Sequence, residues 1–106
     1  MTQLANDFET LGFWEDETDE EHIVIYGMDF PSENAYIIVT DDSGKTPATN
    51  KDTLVIACYD NDDCFLWGKE LQNWFALEKL VTENKAETKE LLEALKAYTL
   101  PKKKNK

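Results

Sequence analysis

The stretch HIVIYGMDFPSENAYIIVT, residues 22–40, decides the fold class of this chain. It holds two runs rich in β-branched and aromatic residues, 22–28 and 35–40, which are typical of β-strands. Between them FPSEN supplies the Pro, Ser and Asn that favour a turn. A third run of the same kind, TLVIACY at 53–59, follows a polar loop. We therefore expect a mainly antiparallel sheet of three strands, because short connections join antiparallel neighbours.

Each predicted strand is nearly continuous in apolar residues rather than alternating with polar ones. Such runs are typical of strands that are buried on both sides. We therefore expect both faces of the sheet to be covered, at least in part.

The N-terminal residues predict a short amphipathic helix. Leu4, Phe8 and Leu11 follow one another at helical spacing over residues 2–12. Thr2 is placed to cap this helix and Gly12 to end it.

After Asp60 the sequence supports two interpretations. Trp67, Leu71 and Trp74 suit a helix that begins near Asp62 or Asp63. Alternatively, CFLW at 64–67 is a fourth strand paired with 53–59, and the helix begins after Gly68. The spacing of apolar residues alone does not separate the two.

The C-terminal part predicts one long helix or two shorter ones, packed on the sheet. No Gly or Pro separates residues 69 and 100, whereas Asn84 and Glu87 have the spacing of a capping box. The fold class is therefore α+β, with a short N-terminal helix, three or four strands and the C-terminal helical region. We expect a single compact domain over 1–100 and a flexible basic tail, 101–106.

Charge is distributed unevenly along the chain. It contains 22 acidic residues, 11 lysines and no arginine, which gives a net charge of −11. Residues 1–68 alone carry a net charge of −14, and residues 69–106 carry +3. An acidic surface repels nucleic acid and anionic membranes and attracts basic proteins. We expect no direct binding of nucleic acid and no membrane association. Without a signal peptide or an apolar run of about 18 residues, the expected location is cytoplasmic.

Two stretches of the sequence resemble ligand-binding loops, but each lacks residues that such a loop requires. Gly44, Lys45 and Thr46 match the end of a phosphate-binding loop, but Val39 stands where that loop needs another glycine. DNDD at 60–63 begins like a calcium loop, which then lacks its glycine and its final glutamate. We expect ordinary turns at both places, with loose cation binding at 60–63 as a minor alternative.

The cysteines and the single histidine predict neither a metal site nor catalysis. Cys58 and Cys64 are too few to form a zinc site, and we expect two reduced, partly buried thiols. His22 adjoins Glu20 and Glu21, whose charges favour the imidazolium form and make it a poor base. The sequence therefore predicts a protein without cofactor or enzymatic activity.

The candidate site is the acidic run EDETDEE at 15–21 together with the tryptophan before it. Its proposed partner-binding residues are Trp14, Glu15, Asp16, Glu17, Asp19, Glu20 and Glu21. Tryptophan is a frequent interface anchor, and alternate carboxylates along a strand present a regular row of charge, as phosphates do. We expect a small protein that binds a basic protein partner, with nucleic-acid mimicry by an inhibitor or immunity-type protein as a sharper version. The alternative is a self-associating structural domain, a homodimer whose acidic residues only face solvent.

Overall fold

The computed structural model describes residues 3–17 and 23–99. Predictions for Thr2, His22 and the basic tail therefore lie outside the described residues. In chain order the elements are α1 (Gln3–Leu11), β1 (Trp14–Glu17), β2 (Val24–Phe30), a 3-10 turn (Pro31–Glu33), β3 (Ala35–Asp41), β4 (Leu54–Asp60), β5 (Phe65–Leu71), α2 (Trp74–Asn84) and α3 (Lys89–Ala97).

The five strands form one antiparallel sheet in the order β1-β2-β3-β4-β5, so every strand pairs with its neighbour in sequence. The α+β class and the antiparallel sheet are confirmed, but the expected three or four strands are too few. The first three residues of the acidic run at 15–21 belong to β1. This strand pairs through its backbone at the edge of the sheet, so its acidic side chains remain exposed.

The fourth predicted strand exists as β5, and the helix proposed to begin near Asp62 or Asp63 is wrong. The carboxylate of Asp60 accepts hydrogen bonds from the amides of Asp62 and Cys64, at 2.9 and 3.0 Å, which closes a turn. Trp67 and Leu71 both lie on the helix-facing side of β5. A separation of four residues places two side chains on one face of either a helix or a strand, which explains the ambiguity.

The C-terminal region forms two helices rather than one. α2 begins after Asn73, whose side chain accepts from the Ala76 amide at 3.2 Å. α3 begins after Thr88, and the predicted capping box at Asn84 and Glu87 is wrong. Asn84 instead ends α2, where its side-chain amide donates to the carbonyl of Leu80.

All three α-helices pack on one face of the sheet and enclose a single core among the described residues. Phe8 of α1 stacks on Tyr26 with 4.0 Å between ring centroids, and its ring also meets those of Phe13 and Trp74 edge-on. Alternate strand residues are fully buried on this side and half-buried on the other. Among the described elements no helix packs on the second face, so the cover that we expected on both faces is provided by helices on one face only.

The loop between β3 and β4 contains the Gly44–Thr46 sequence in a turn. The carboxylate of Asp41 accepts from the amides of Ser43 and Lys45, and Thr46 hydrogen-bonds both backbone groups of Val24 at 2.7 Å. Within the described part of the chain, no helix combines the length and apolar character needed to cross a membrane.

Candidate functional site

Four of the seven proposed site residues form the edge strand β1, and the other three lie outside the described residues. Trp14 is half-buried, whereas Glu15, Asp16 and Glu17 are exposed. Asp19, Glu20 and Glu21 fall within 18–22, which the structure does not describe.

The register of β1 divides its residues between two surfaces. Trp14 pairs with Gly27 and Asp16 with Ile25, so these two side chains lie on the sheet face opposite the helices. Glu15 pairs with Tyr26 and therefore lies on the helix side, together with Glu17. A strand presents successive side chains to opposite faces, so one acidic run contributes to two surfaces.

We call the sheet face opposite the helices the uncovered face. Its residues are Trp14, Asp16, Ile25, Gly27, Asp29, Tyr36, Ile38, Thr40, Val55, Ala57, Tyr59, Phe65, Gly68 and Glu70.

Trp14 lies over Gly27 on this face. A methyl group at position 27 would overlap the six-membered ring of the indole. The glycine therefore allows Trp14 to lie against the backbone of β2, and most of the residue is withdrawn from solvent. Sequence reasoning singled out Trp14 but could not see this cross-strand partner.

A row of aromatic rings crosses the uncovered face. Tyr36, Tyr59 and Phe65 are successive cross-strand neighbours on β3, β4 and β5. The two tyrosine rings stack at 5.5 Å, and Tyr59 meets Phe65 edge-on at 5.8 Å. Phe65 is 61% exposed and the neighbouring Leu66 is 51% exposed. The row thus ends in a patch of apolar surface at the outer edge of the sheet.

Tyr36 is held in place by a hydrogen bond. Its hydroxyl donates to Oδ1 of Asp63, at 2.7 Å, from the β4–β5 turn. This bond, followed by desolvation and the charge of Asp63, raises the pKa of Tyr36 to about 12. The tyrosine is therefore a neutral donor near pH 7, and the aromatic row is tied to the turn.

The charges on the uncovered face all have one sign. Asp16, Asp29 and Glu70 are exposed there, and Asp29 pairs with Tyr36 at the end of the aromatic row. Among the strand residues that the structure describes, no lysine lies on this face. Lys69 of β5 pairs with Ile56 and faces the helices. The aromatic row thus crosses one end of the face beside Asp29, and Asp16 and Glu70 lie at the opposite end.

A cleft of about 300 Å³ lies on the helix side of β1, against α1. It is lined by Ala5, Asn6, Glu9, Phe13, Trp14, Glu15 and Tyr26. Tyr26 is only 3% exposed, and burial, followed by the charge of Glu15, raises its pKa. A second cleft of about 500 Å³ opens beside α2, between Phe75 and Tyr98.

The two cysteines are both free thiols, but only one of them is buried. Cys58 lies in the core, where burial raises its pKa, whereas Cys64 is exposed in the β4–β5 turn. The carboxylates at 60–63 are partly engaged, because Asp60 holds the turn and Asp63 binds Tyr36. No group of three or more potential ligands in the described residues is arranged to hold a metal ion.

Sequence reasoning missed the aromatic row. Tyr36, Tyr59 and Phe65 are separated by 23 and 6 residues, so only the register of the sheet brings them together. The available signal was one tyrosine near the start of the second predicted strand and another at the end of the third. With the antiparallel pairing of those strands, this signal would have suggested a contact only once the register was known.

Three comparisons with known proteins bear on this chain. No family model, no curated protein and no solved structure matches it.

Proposed function

We propose that this protein is a non-enzymatic interaction protein that binds a basic protein partner through the uncovered face of its sheet. The observation that carries the proposal is the aromatic row of Tyr36, Tyr59 and Phe65, which no described helix covers and which ends in the exposed ring of Phe65.

The chemistry of this face matches that of protein interfaces. Aromatic side chains supply most of the binding energy at interface centres, since they bury a large area at a low cost in conformational entropy. Phe65 and Leu66 are more than half exposed, although a folded domain gains by withdrawing such side chains from water. A partner that covered them would provide this gain.

The charge of the face determines which partner it suits. Asp29 adjoins the aromatic row, Asp16 and Glu70 lie at the other end of the same face, and the strands contribute no lysine to this side in the described residues. Carboxylates at an interface rim accelerate association with a basic surface and repel an acidic one. A partner rich in lysine or arginine is therefore favoured over a second copy of this acidic chain.

The test compares two triple variants that change the net charge equally. Asp16→Asn, Asp29→Asn and Glu70→Gln neutralise the uncovered face, whereas Glu78→Gln, Glu83→Gln and Glu90→Gln neutralise exposed positions on α2 and α3. Proteins from the source organism are captured on each variant and washed at about 50 mM and then about 500 mM salt, which bracket weak and strong screening. The captured partner is then purified, and its affinity for each variant is measured.

The proposal requires a basic partner that elutes with salt and binds the uncovered-face variant at least about ten-fold more weakly than the wild type. The helix-side variant must bind it as the wild type does. Equal losses in both variants would show a non-specific effect of net charge and would overturn the proposal.

A second pair of variants, at two exposed phenylalanines, tests the aromatic row separately. Phe65→Ser removes an exposed ring from the uncovered face, and Phe75→Ser removes a similarly exposed ring, 52% exposed, from α2 on the other side. Binding should be lost with Phe65→Ser and retained with Phe75→Ser. The opposite result would place the interface on the helices.

Nucleic-acid mimicry is a sharper version of the proposal that this protein binds a basic partner, and it places the contact on the acidic run at 15–21. Within the described residues, Glu15 and Glu17 support it, since they lie on the same side of an extended strand at the sheet edge. Mimicry predicts that changing all the acids of 15–21 to Asn or Gln abolishes binding of the partner and leaves the far-UV circular dichroism unchanged. Unchanged binding would rule mimicry out.

Self-association is the second candidate function, and the edge strand β5 favours it. β5 pairs with β4 on one side only among the described strands, and it exposes Phe65 and Leu66. Such an edge is a template for pairing with a second copy. A homodimer formed this way should keep its solution mass between about 50 and about 500 mM salt, and Leu66→Lys should dissociate it. A monomer at both salt concentrations would exclude it.

A further inference from the structure

We propose that the cleft between α1 and β1 binds an organic cation, an ammonium or guanidinium group carried on an apolar stem. The cleft lies on the helix side of the sheet, so this inference does not depend on the partner proposed for the uncovered face.

The walls of the cleft divide into an apolar floor and a negative rim. Phe13 and Tyr26, which are 4% and 3% exposed, form the buried side. The exposed residues Glu9 and Glu15 supply carboxylates from α1 and β1, and Asn6 adds an amide. An alkyl stem can lie on the aromatic side while the cationic group reaches the rim, as lysine and arginine side chains do at protein surfaces.

Tyr26 gives an independent indication of a ligand. It is buried, and its hydroxyl takes part in none of the side-chain hydrogen bonds of the described residues. Burial, followed by the charge of Glu15, raises its pKa. Because no side-chain oxygen in the described residues is both sealed from solvent and unpaired, this hydroxyl is not fully sealed, and Tyr26 lines the cleft. The hydroxyl oxygen of Tyr26 is therefore available, beside the Glu15 carboxylate, to accept a hydrogen bond from the N–H group of a bound ligand.

The surroundings favour a cation over an anion or a neutral ligand. None of the seven residues that line the cleft is basic. Two carboxylates on opposite walls can each accept a charge-assisted hydrogen bond from one cationic group, and such bonds are about twice as strong as neutral ones. The volume of about 300 Å³ lies at the lower end of the range for small-ligand sites.

The test uses two probes of the same chemistry from different sources. Agmatine represents a free organic cation, and Nα-acetyl-lysine N-methylamide represents a side chain of a protein. The uncharged control is the same lysine probe acetylated on its side-chain nitrogen, which removes the positive charge. Each is titrated into uniformly ¹⁵N-labelled protein, and the amide resonances of Asn6, Glu9, Phe13 and Glu15 are followed.

The inference requires saturable shifts at these resonances with at least one charged probe and none with the acetylated control. Saturation by agmatine alone assigns the site to a free cation, and saturation by the lysine probe assigns it to a protein side chain. No saturable shift with either probe, or equal shifts with the acetylated control, would overturn the inference.

Matched variants locate the effect in the cleft. Glu9→Gln with Glu15→Gln should weaken binding of the probe at least about ten-fold, whereas Glu78→Gln with Glu90→Gln removes the same charge from α2 and α3 and should change nothing. Tyr26→Phe should weaken binding without altering the dispersion of the spectrum. Unchanged affinity in the Glu9 and Glu15 double variant would also overturn the inference.

Discussion

The indole of Trp14 lies on the backbone of β2 at Gly27, in the space that any other residue at position 27 would fill with its Cβ. This relationship holds the edge strand β1 against the sheet with an apolar contact, although the other residues of the strand are acidic and exposed. It also fixes the ring at one end of the uncovered face. One glycine and one tryptophan therefore link the stability of the sheet edge to the shape of the proposed interface.

Gly27→Ala should lower the free energy of unfolding by about 1–3 kcal/mol, because the added methyl group must displace the Trp14 ring or shift β1. Urea denaturation followed by far-UV circular dichroism measures this loss, and a red shift of tryptophan emission reports exposure of the indole. In the double variant with Trp14→Ala, the cost of the alanine at 27 should largely disappear.

Gly68→Ala is the matched control on the same face. A Cβ at Gly68 would lie 3.4 Å from the Phe65 ring and 3.6 Å from a backbone oxygen, which are ordinary contacts. We expect a change within about 0.5 kcal/mol, or a small gain from the better strand propensity of alanine. Equal losses at positions 27 and 68 would contradict the overlap with Trp14.

Ionisation of Tyr36 should destabilise the protein at high pH. The hydrogen bond to Asp63 raises its pKa from 10.0 to about 12, so the folded state holds this proton more tightly than the unfolded state does. The stabilisation is complete below pH 10 and is lost as the pH rises through about 12. Titration of the Tyr36 ring carbon resonances by NMR measures the pKa directly.

Asp63→Gly provides the control for this titration. Asp63 has a positive φ of 64°, so glycine fits the turn while removing the acceptor and its charge. The pKa of Tyr36 should fall toward 10.0 in the variant. A pKa that stayed near 12 would show that burial, rather than the Asp63 carboxylate, is the main cause.

Thr88→Ala should cost about 1 kcal/mol of stability, because Thr88 caps α3. Its hydroxyl oxygen accepts from the Leu91 amide at 3.2 Å, and the hydroxyl group lies 2.7 Å from the carbonyl oxygen of Asn84. Thr82→Ala changes an exposed residue inside α2 and should cost nothing, since alanine is the better helix former. Thermal unfolding of both variants, compared with Thr88→Ser, checks this; equal values for the two alanine variants would exclude a capping role.

Lys85→Gly should stabilise the protein by up to about 1 kcal/mol. Lys85 ends α2 with a φ of 73°, a conformation that costs a side-chain-bearing residue free energy and costs glycine little. Lys79→Gly removes the same charge from the interior of α2 and should destabilise by about 1 kcal/mol. Denaturant midpoints of the two variants should therefore move in opposite directions, and movement in the same direction would contradict the prediction.

Local sequence signals located most of the fold. The three runs of β-branched residues became β2, β3 and β4 within two residues of their expected ends, and Gly12 follows α1 with a φ of 106°. These elements were predictable because their own side chains form the core, so the spacing of their apolar residues indicates which positions are buried. β1 carries no such pattern, since an edge strand can pair through its backbone while its side chains stay in water.

The break between α2 and α3 shows a second limit of local reasoning. It contains no glycine or proline, and Lys85 and Glu87 take positive φ values that such residues rarely adopt. Packing of the two helices against the sheet decides this turn, because Leu77, Val81, Leu91 and Leu95 are buried only when the chain reverses between them. A single straight helix would carry one of these pairs away from the core.

The sequence by itself determined that this chain is acidic, that lysine replaces arginine throughout, that the fold class is α+β, and that a tryptophan precedes an acidic run. Only the tertiary structure decided which side of the sheet each of those residues occupies. The register placed Trp14 and Asp16 on the uncovered face and Glu15 in the cleft, and it aligned Tyr36, Tyr59 and Phe65 in one row. The physical reason is that a shift of one residue in strand pairing reverses every side chain, and pairing depends on the whole core rather than on any one segment.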